Sequence, residues 1–463
     1  MPMTFLHALR LNARRFPTKP AVVFEGHGQT YTELLDRVER MMTVLARRGI
    51  APGDKVAVIS ENHPDFLAAY VAVTGLGAIP APINYRIAPE VMAEVVARSD
   101  SKALLLGDAA LDHADLFRTV VSDIIALGDV AAQGLPRLSD LLADTPPDPP
   151  QGQDGTTIML HTSGTTGKPK GALRSLFGME ERAIEQRFRP DDRALSALPI
   201  CLSAGCTYTL LPLYLGASVH LMRRFDGAAA LRLIEDERLT ATMLLPAMLQ
   251  RMVESDGFAG ADLSSLRTLQ SGGGEMYPDL KRAALDKFGD ALMIYAASSE
   301  AGPYANLTAE DLRRNLAGNC VGRPFFGVEL KLLDDDGNEV PQGEVGEICT
   351  RSESRYDGYY NDEALTAESQ GEIDVLARHL PDNHQINNLV ASAKIAGDTG
   401  ARLANLYLQR CFHLIGEEFH VFGLEVVVGK ASREVPGFGR GGQRGCKRDT
   451  AGHCGLLIDG HRV

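Results

Sequence analysis

Two rhythms of apolar residues take turns along this chain. Thr30-Tyr31-Thr32-Glu33-Leu34-Leu35 sets a threonine cap ahead of a 3.6-residue period, which predicts a helix to about Arg48. The turn cluster Gly49-Ile50-Ala51-Pro52-Gly53-Asp54 follows. Lys55-Val56-Ala57-Val58-Ile59 is then a short β-branched run and reads as a strand. A helix over about 64–76, a strand over 78–83, a helix over 88–98 and a strand over 102–106 continue the alternation. That order predicts an α/β protein with a parallel sheet flanked by helices. Residues 66–83 are apolar enough to suggest a membrane span. Two glycines and two prolines interrupt the second half, so a buried helix followed by a buried strand is expected instead.

Further along, residues 144–155 form a proline-rich connector. Thr157-Ile158-Met159-Leu160-His161 reads as a buried strand, and the α/β rhythm then runs to about residue 330. Residues 326–350 change character. Two alternating runs around Asp334-Asp335-Asp336-Gly337 predict an antiparallel hairpin in a small β subdomain. A length of 463 residues leaves room for two to four structural units. The formal charge of −13 argues against a general nucleic-acid or membrane-surface binder. Seven scattered cysteines without a Cys-x-x-Cys fit structural thiols in a reducing compartment. Met1-Pro2-Met3-Thr4-Phe5 lacks a basic-then-apolar signal pattern, so a soluble, cytoplasmic protein without a transmembrane segment is expected.

The strand at 157–161 delivers the most informative segment, Thr162-Ser163-Gly164-Thr165-Thr166-Gly167-Lys168-Pro169-Lys170-Gly171. Four hydroxyls, three glycines and two lysines in ten residues make a loop whose inward N–H groups and side chains suit a polyphosphate. The spacing is not that of the common P-loop, which needs Gly-x4-Gly-Lys-Ser/Thr. The string resembles the signature loop of the adenylate-forming enzymes, which include acyl-CoA synthetases, luciferases and peptide-synthetase adenylation domains. The resemblance runs from about Thr30 to about Thr366. It includes Gly77-Ala78-Ile79-Pro80-Ala81-Pro82-Ile83-Asn84, Gly272-Gly273-Gly274-Glu275, Gly322-Arg323-Pro324, Gly343-Glu344-Val345-Gly346-Glu347-Ile348 and Gly358-Tyr359-Tyr360-Asn361-Asp362, all in family order.

The resemblance implies an adenylation core over residues 1–365, built from two parallel-sheet subdomains and a small β subdomain. Residues 366–463 match the family's small lid poorly. ATP is expected on the loop 162–171 and on the glycine turn Gly272, Gly273 and Gly274, which lies against adenine in the family. Lys170 is expected to be catalytic. Ala296-Ala297-Ser298-Ser299-Glu300 is similar to the family's Tyr-Gly-x-Thr-Glu, so Ser299 is expected at the α-phosphate and Glu300 on Mg²⁺. Asp398 and Arg410 echo the family's ribose-binding Asp and hinge Arg.

Three departures stand out. Ala296 occupies the position of the adenine-stacking aromatic, with Tyr295 one residue early. Cys201 and Leu202 stand where many acyl-CoA synthetases carry an aromatic and a His, which makes that site more apolar. From Gly429 onward seven Lys/Arg against three Asp/Glu reverse the charge balance, and no Pro-x4-Gly-Lys stands near the end. That tail reads as a diverged lid, as the product of an altered frame, or as a basic tail. Cys446, His453, Cys454 and His461 match no zinc spacing.

The function implied is ATP-dependent activation of a fatty or aryl carboxylic acid to its acyl-adenylate, then thioester formation with CoA. An amino acid is disfavoured because no Asp is evident to pair its ammonium. The resemblance also allows a homodimer. The alternative is a non-catalytic or lid-defective relative that binds nucleotide or acyl group only.

Overall fold

The computed structural model describes residues 3–128, 134–150, 154–162, 170–176, 179–298, 300–314, 316, 320–334, 336–352 and 355–370, and the short strands Ala377–Arg378, Leu457–Ile458 and His461–Arg462. The helix expected after Thr30 spans Tyr31–Arg47. Its start is a reciprocal cap: Glu33 N donates to Thr30 Oγ1 at 3.2 Å, and Thr30 N donates to the Glu33 carboxylate at 2.8 Å. Tyr31, Leu34, Val38, Met41 and Leu45 form its buried stripe.

The first sheet orders Ile79–Ile83, Lys55–Ile59, Ser101–Leu106 and Asp123–Ala126, all parallel, as the alternation predicts. The apolar stretch resolves into the helix Pro64–Gly75 and the strand Ile79–Ile83. That helix is buried on every side, because it packs under Phe5–Arg15 and Tyr31–Arg47. Pro80 and Pro82 have no N–H to offer, which suits a strand at a sheet edge.

The second sheet has nine strands, in the order Arg323–Pro324, Gly302–Thr308, Leu292–Ser298, Thr268–Gly272, Ala241–Leu244, Arg193–Ser196, Ser218–Leu221, Pro20–Phe24 and His27–Thr30. Its six central strands are parallel and its flanks antiparallel. The helix Ser203–Leu215 is buried against it and stops at Gly216, whose φ of 92° is the left-handed cap geometry.

Two smaller sheets complete the core. Glu329–Leu333 pairs antiparallel with Glu347–Arg351, so the expected hairpin is present. Its connection is longer than an Asp-Gly turn. Gly337 N closes on Asp334 O at 3.0 Å and Glu339 bridges back to Leu333, but the return strand begins only at Glu347. Turn chemistry marked the reversal, whereas register depended on residues 338–346, which carry no period.

The remaining sheet orders Gly358–Tyr359, Lys170–Ser175 and Thr157–Thr162, all antiparallel. Here the α/β rhythm breaks, because the strand before the glycine-rich loop is followed by a returning strand and not by a helix. The segment is a hairpin whose first strand packs beside Ile79–Ile83. Among the described residues, no helix is long and apolar enough to cross a membrane.

Candidate active site

The hairpin fixes the ends of the glycine-rich loop. Thr162 ends one strand and pairs with Lys170, which begins the next; His161 pairs with Gly171. Ser163, Gly164, Thr165, Thr166, Gly167 and Lys168 lie between these anchors and outside the described residues. A side chain at Gly171 would put its Cβ 2.9 Å from Met159 Sδ, so the return strand runs close against its partner there. His161 Nδ1 lies 3.1 Å from Pro82 O, which ties the hairpin to the first sheet. Burial pushes the His161 ring down to about 4, so it is neutral at pH 7.

The second half of the site comes from the carboxyl edge of the nine-stranded sheet, where open α/β sheets place their ligands. Gly272 ends the strand Thr268–Gly272, and Gly273 turns with φ 80°. Gly274 follows, and burial raises the neighbouring Glu275 carboxyl. The next parallel strand, Leu292–Ser298, leads to Glu300, which is 1% exposed.

Glu300 is held at both ends by the stretch after the small β subdomain. Tyr356 N donates to Glu300 O at 2.7 Å, and Tyr359 Oη donates to Glu300 Oε1 at 2.7 Å. Glu300 Oε2 is buried and has no hydrogen-bond partner among the described residues. A buried, unpaired carboxylate oxygen is costly and suits a hard divalent cation. Lys170 Nζ lies 5.7 Å from the centre of the Tyr359 ring, so one tyrosine touches the loop lysine and the buried acid. A cleft of about 240 Å³ opens beside Lys170 and Tyr359, lined also by Arg98, Asp100, His161 and Tyr360.

Arg174 is the charge that sequence reasoning missed. It is 2% exposed; burial pulls its guanidinium below the ordinary value, while Glu300 and Asp357 push it back. The signal was available. Ala172 and Arg174 share the buried face of Lys170–Ser175, and an arginine on such a face is seldom idle. Tyr359 was visible only as part of a matching motif, without a role.

The two positions that depart from the family pattern lie in different cores. Tyr295 joins the main core: its ring centre is 5.8 Å from that of Tyr208, and its Oη lies 3.5 Å from Met243 Sδ. Ala296 joins a small cluster with Ala301, Tyr304, Ala305, Val321, Leu332 and Ile348. A register shift between Ala296 and Ala297 bends the strand there. Cys201 and Cys206 are packed, and burial pushes both thiols up to about 12, too high for a thiolate nucleophile at neutral pH. Ser299, Asp398 and Arg410 lie outside the described residues, as do Cys446, His453 and Cys454.

A hairpin that bears Lys170 and a buried glutamate meet at the edge of a parallel sheet. The chain belongs to the AMP-binding enzyme family, which matches residues 9–360. It is 32% identical over 356 residues to indoleacetate–CoA ligase of Aromatoleum aromaticum, covering 75% of this chain and 69% of that protein. It is 33% identical over 361 residues to feruloyl-CoA synthase of an Amycolatopsis species, covering 77% and 71%. The fold matches the inhibitor-bound N-terminal domain of FACL13 from Mycobacterium tuberculosis with a TM-score of 0.74 and 26% identity, over 82% of this chain and 95% of that domain. These relatives make the protein an adenylate-forming enzyme of the acid–thiol ligase type.

Proposed function

We propose that this protein activates a fatty or aryl carboxylic acid with ATP and passes the acyl group to CoA. The observation that carries the reading is Glu300: a buried carboxylate with one oxygen held by Tyr359 and the other without a partner among the described residues, beside the hairpin that bears Lys170. The indoleacetate and feruloyl relatives favour an aryl acid.

In this reading the loop 162–171 cradles the phosphates of ATP with backbone N–H groups and hydroxyls. Lys170 neutralises charge at its mouth. Glu300 Oε2 is the ligand for Mg²⁺, which shields the phosphates when bound. Gly272, Gly273 and Gly274 give adenine close access to the sheet edge. The substrate carboxylate attacks the α-phosphorus, the α–β phosphoanhydride breaks, and pyrophosphate leaves. The CoA sulfur then bonds to the acyl carbon, AMP leaves with the electron pair, and the thiol proton passes to solvent. The core's work is to hold two anions in line and offset their repulsion. Residues 1–365 form the adenylation core in this reading, and residues 366–463 are a lid-like or aberrant segment.

The test is a panel of aryl and fatty acids assayed for ATP–pyrophosphate exchange and for thioester with CoA. Exchange and thioester with at least one acid support the reading. ATP binding without either product supports the alternative, a nucleotide-binding relative whose residues 366–463 supply no lid lysine.

A further inference from the structure

The motif Gly358-Tyr359-Tyr360 entered the sequence reading only as a family match, yet the structure places Tyr359 against both charged groups of the site. Its main chain pairs with Ala172 on the hairpin strand, and its N donates to Thr366 Oγ1 at 2.8 Å. Its ring meets that of Tyr356 edge-on, with centres 5.1 Å apart and an interplanar angle of 69°. Four constraints therefore fix the hydroxyl: the strand pairing, the Thr366 bond, the Tyr356 ring and the Glu300 bond. Glu300 itself lies in the turn between Leu292–Ser298 and Gly302–Thr308 of the nine-stranded sheet.

We propose that Tyr359 is the positioning residue for the metal-binding oxygen of Glu300. This rests on the reading of Glu300 as the Mg²⁺ ligand. The terminal torsion of a glutamate is broad, so a lone carboxylate exchanges its oxygens and swings. The 2.7 Å bond from Tyr359 occupies Oε1 and removes that freedom, leaving Oε2 as the one free ligand atom. Tyr356 N holds the backbone of the same glutamate. Because Tyr359 is carried by the sheet that carries Lys170, the bond also ties the ligand carboxylate to the strand that bears Lys170. Groups that orient a metal ligand without touching the metal are worth about 10–100-fold in metal affinity.

The test uses the full chain, Mn²⁺ in place of Mg²⁺ and a non-hydrolysable ATP analogue, with bound Mn²⁺ counted by electron paramagnetic resonance. Tyr359→Phe should weaken Mn²⁺ binding about 10-fold. Glu300→Gln should weaken it more, and the double variant should match Glu300→Gln alone, because Tyr359 acts only through Glu300. Thermal unfolding without metal accompanies each variant, and the double-variant comparison stays informative if Tyr359→Phe lowers stability. Independent, additive losses in the double variant overturn the positioning role. So does an unchanged Tyr359→Phe beside a weakened Glu300→Gln. An unchanged Glu300→Gln overturns the metal reading on which the proposal rests.

Discussion

The seam between the hairpin and the large sheet differs sharply from the interior a few residues away. At the seam Glu300, Arg174, Tyr359 and Lys170 gather, three of them buried. Behind Gly272 the same sheet carries Met243 and Tyr295, and packs them against Cys206 and Tyr208 of the helix Ser203–Leu215 as a core. The seam tolerates buried charge because each group opposes another, Glu300 against Arg174 and Tyr359. The interior is held by shape and by neutral contacts such as Tyr208 Oη donating to Gln270 Oε1. Chemistry should therefore reside at the seam and stability in the interior, and substitutions can separate the two.

The largest effect expected is Glu300→Gln, which keeps shape and loses charge. Pyrophosphate exchange at saturating Mg²⁺ should fall by about 100-fold or more, the scale of losing one electrostatic stabiliser. Wild-type exchange across a Mg²⁺ titration would remove Glu300 from the site. Next comes Lys170→Ala, which should cost about 10–100-fold in the same assay with little change in melting temperature. Lys168→Ala should cost far less, because the family match leaves that position variable. Equal losses from the two lysines would contradict the assignment.

The boundary between seam and interior is tested by Gly272→Ala, at a residue that this reading also sets against adenine. A Cβ there would lie 2.5 Å from Tyr295 O and 2.6 Å from its ring. Overpacking of this kind costs about 1–3 kcal/mol, so the melting temperature should drop by several degrees. An unchanged melting temperature would mean that Tyr295 does not fill that space. The smallest effect concerns His161. Its ring sits at about 4 in the folded protein against 6.5 for the free side chain, because burial disfavours the charged form. Between those values the unfolded chain binds a proton that the folded one refuses, so stability falls as pH drops from 6.5 towards 4. His161→Asn should flatten part of that slope in denaturant titrations. His220, also pushed down to about 4 by burial, should retain the rest.

Much of this molecule is legible in one dimension. The cap at Thr30, the helix–strand alternation to Leu106 and the split of the apolar stretch 66–83 all follow from local periodicity, and the structure reproduces them. The string at 162–171 is legible as a family match, because its glycines and hydroxyls are adjacent in the chain; residues 163–169 lie outside the described residues. The hairpin after that loop was not legible. A buried strand of an antiparallel pair and one of a parallel sheet carry the same apolar run, so Thr157–Thr162 could not declare its partner.

Residue identities and their spacing alone pointed to the family, which the family match shows, and marked the loop 162–171 and Glu300 as candidates. Only the tertiary structure decided that Tyr359, 59 positions away, holds that acid. It alone buried Arg174 within electrostatic reach of that acid and sent Tyr295 and Ala296 into separate cores. The reason is physical. A local signal needs only neighbours along the chain, whereas a carboxylate is oriented, and a buried charge balanced, by groups that meet when separate sheets pack together.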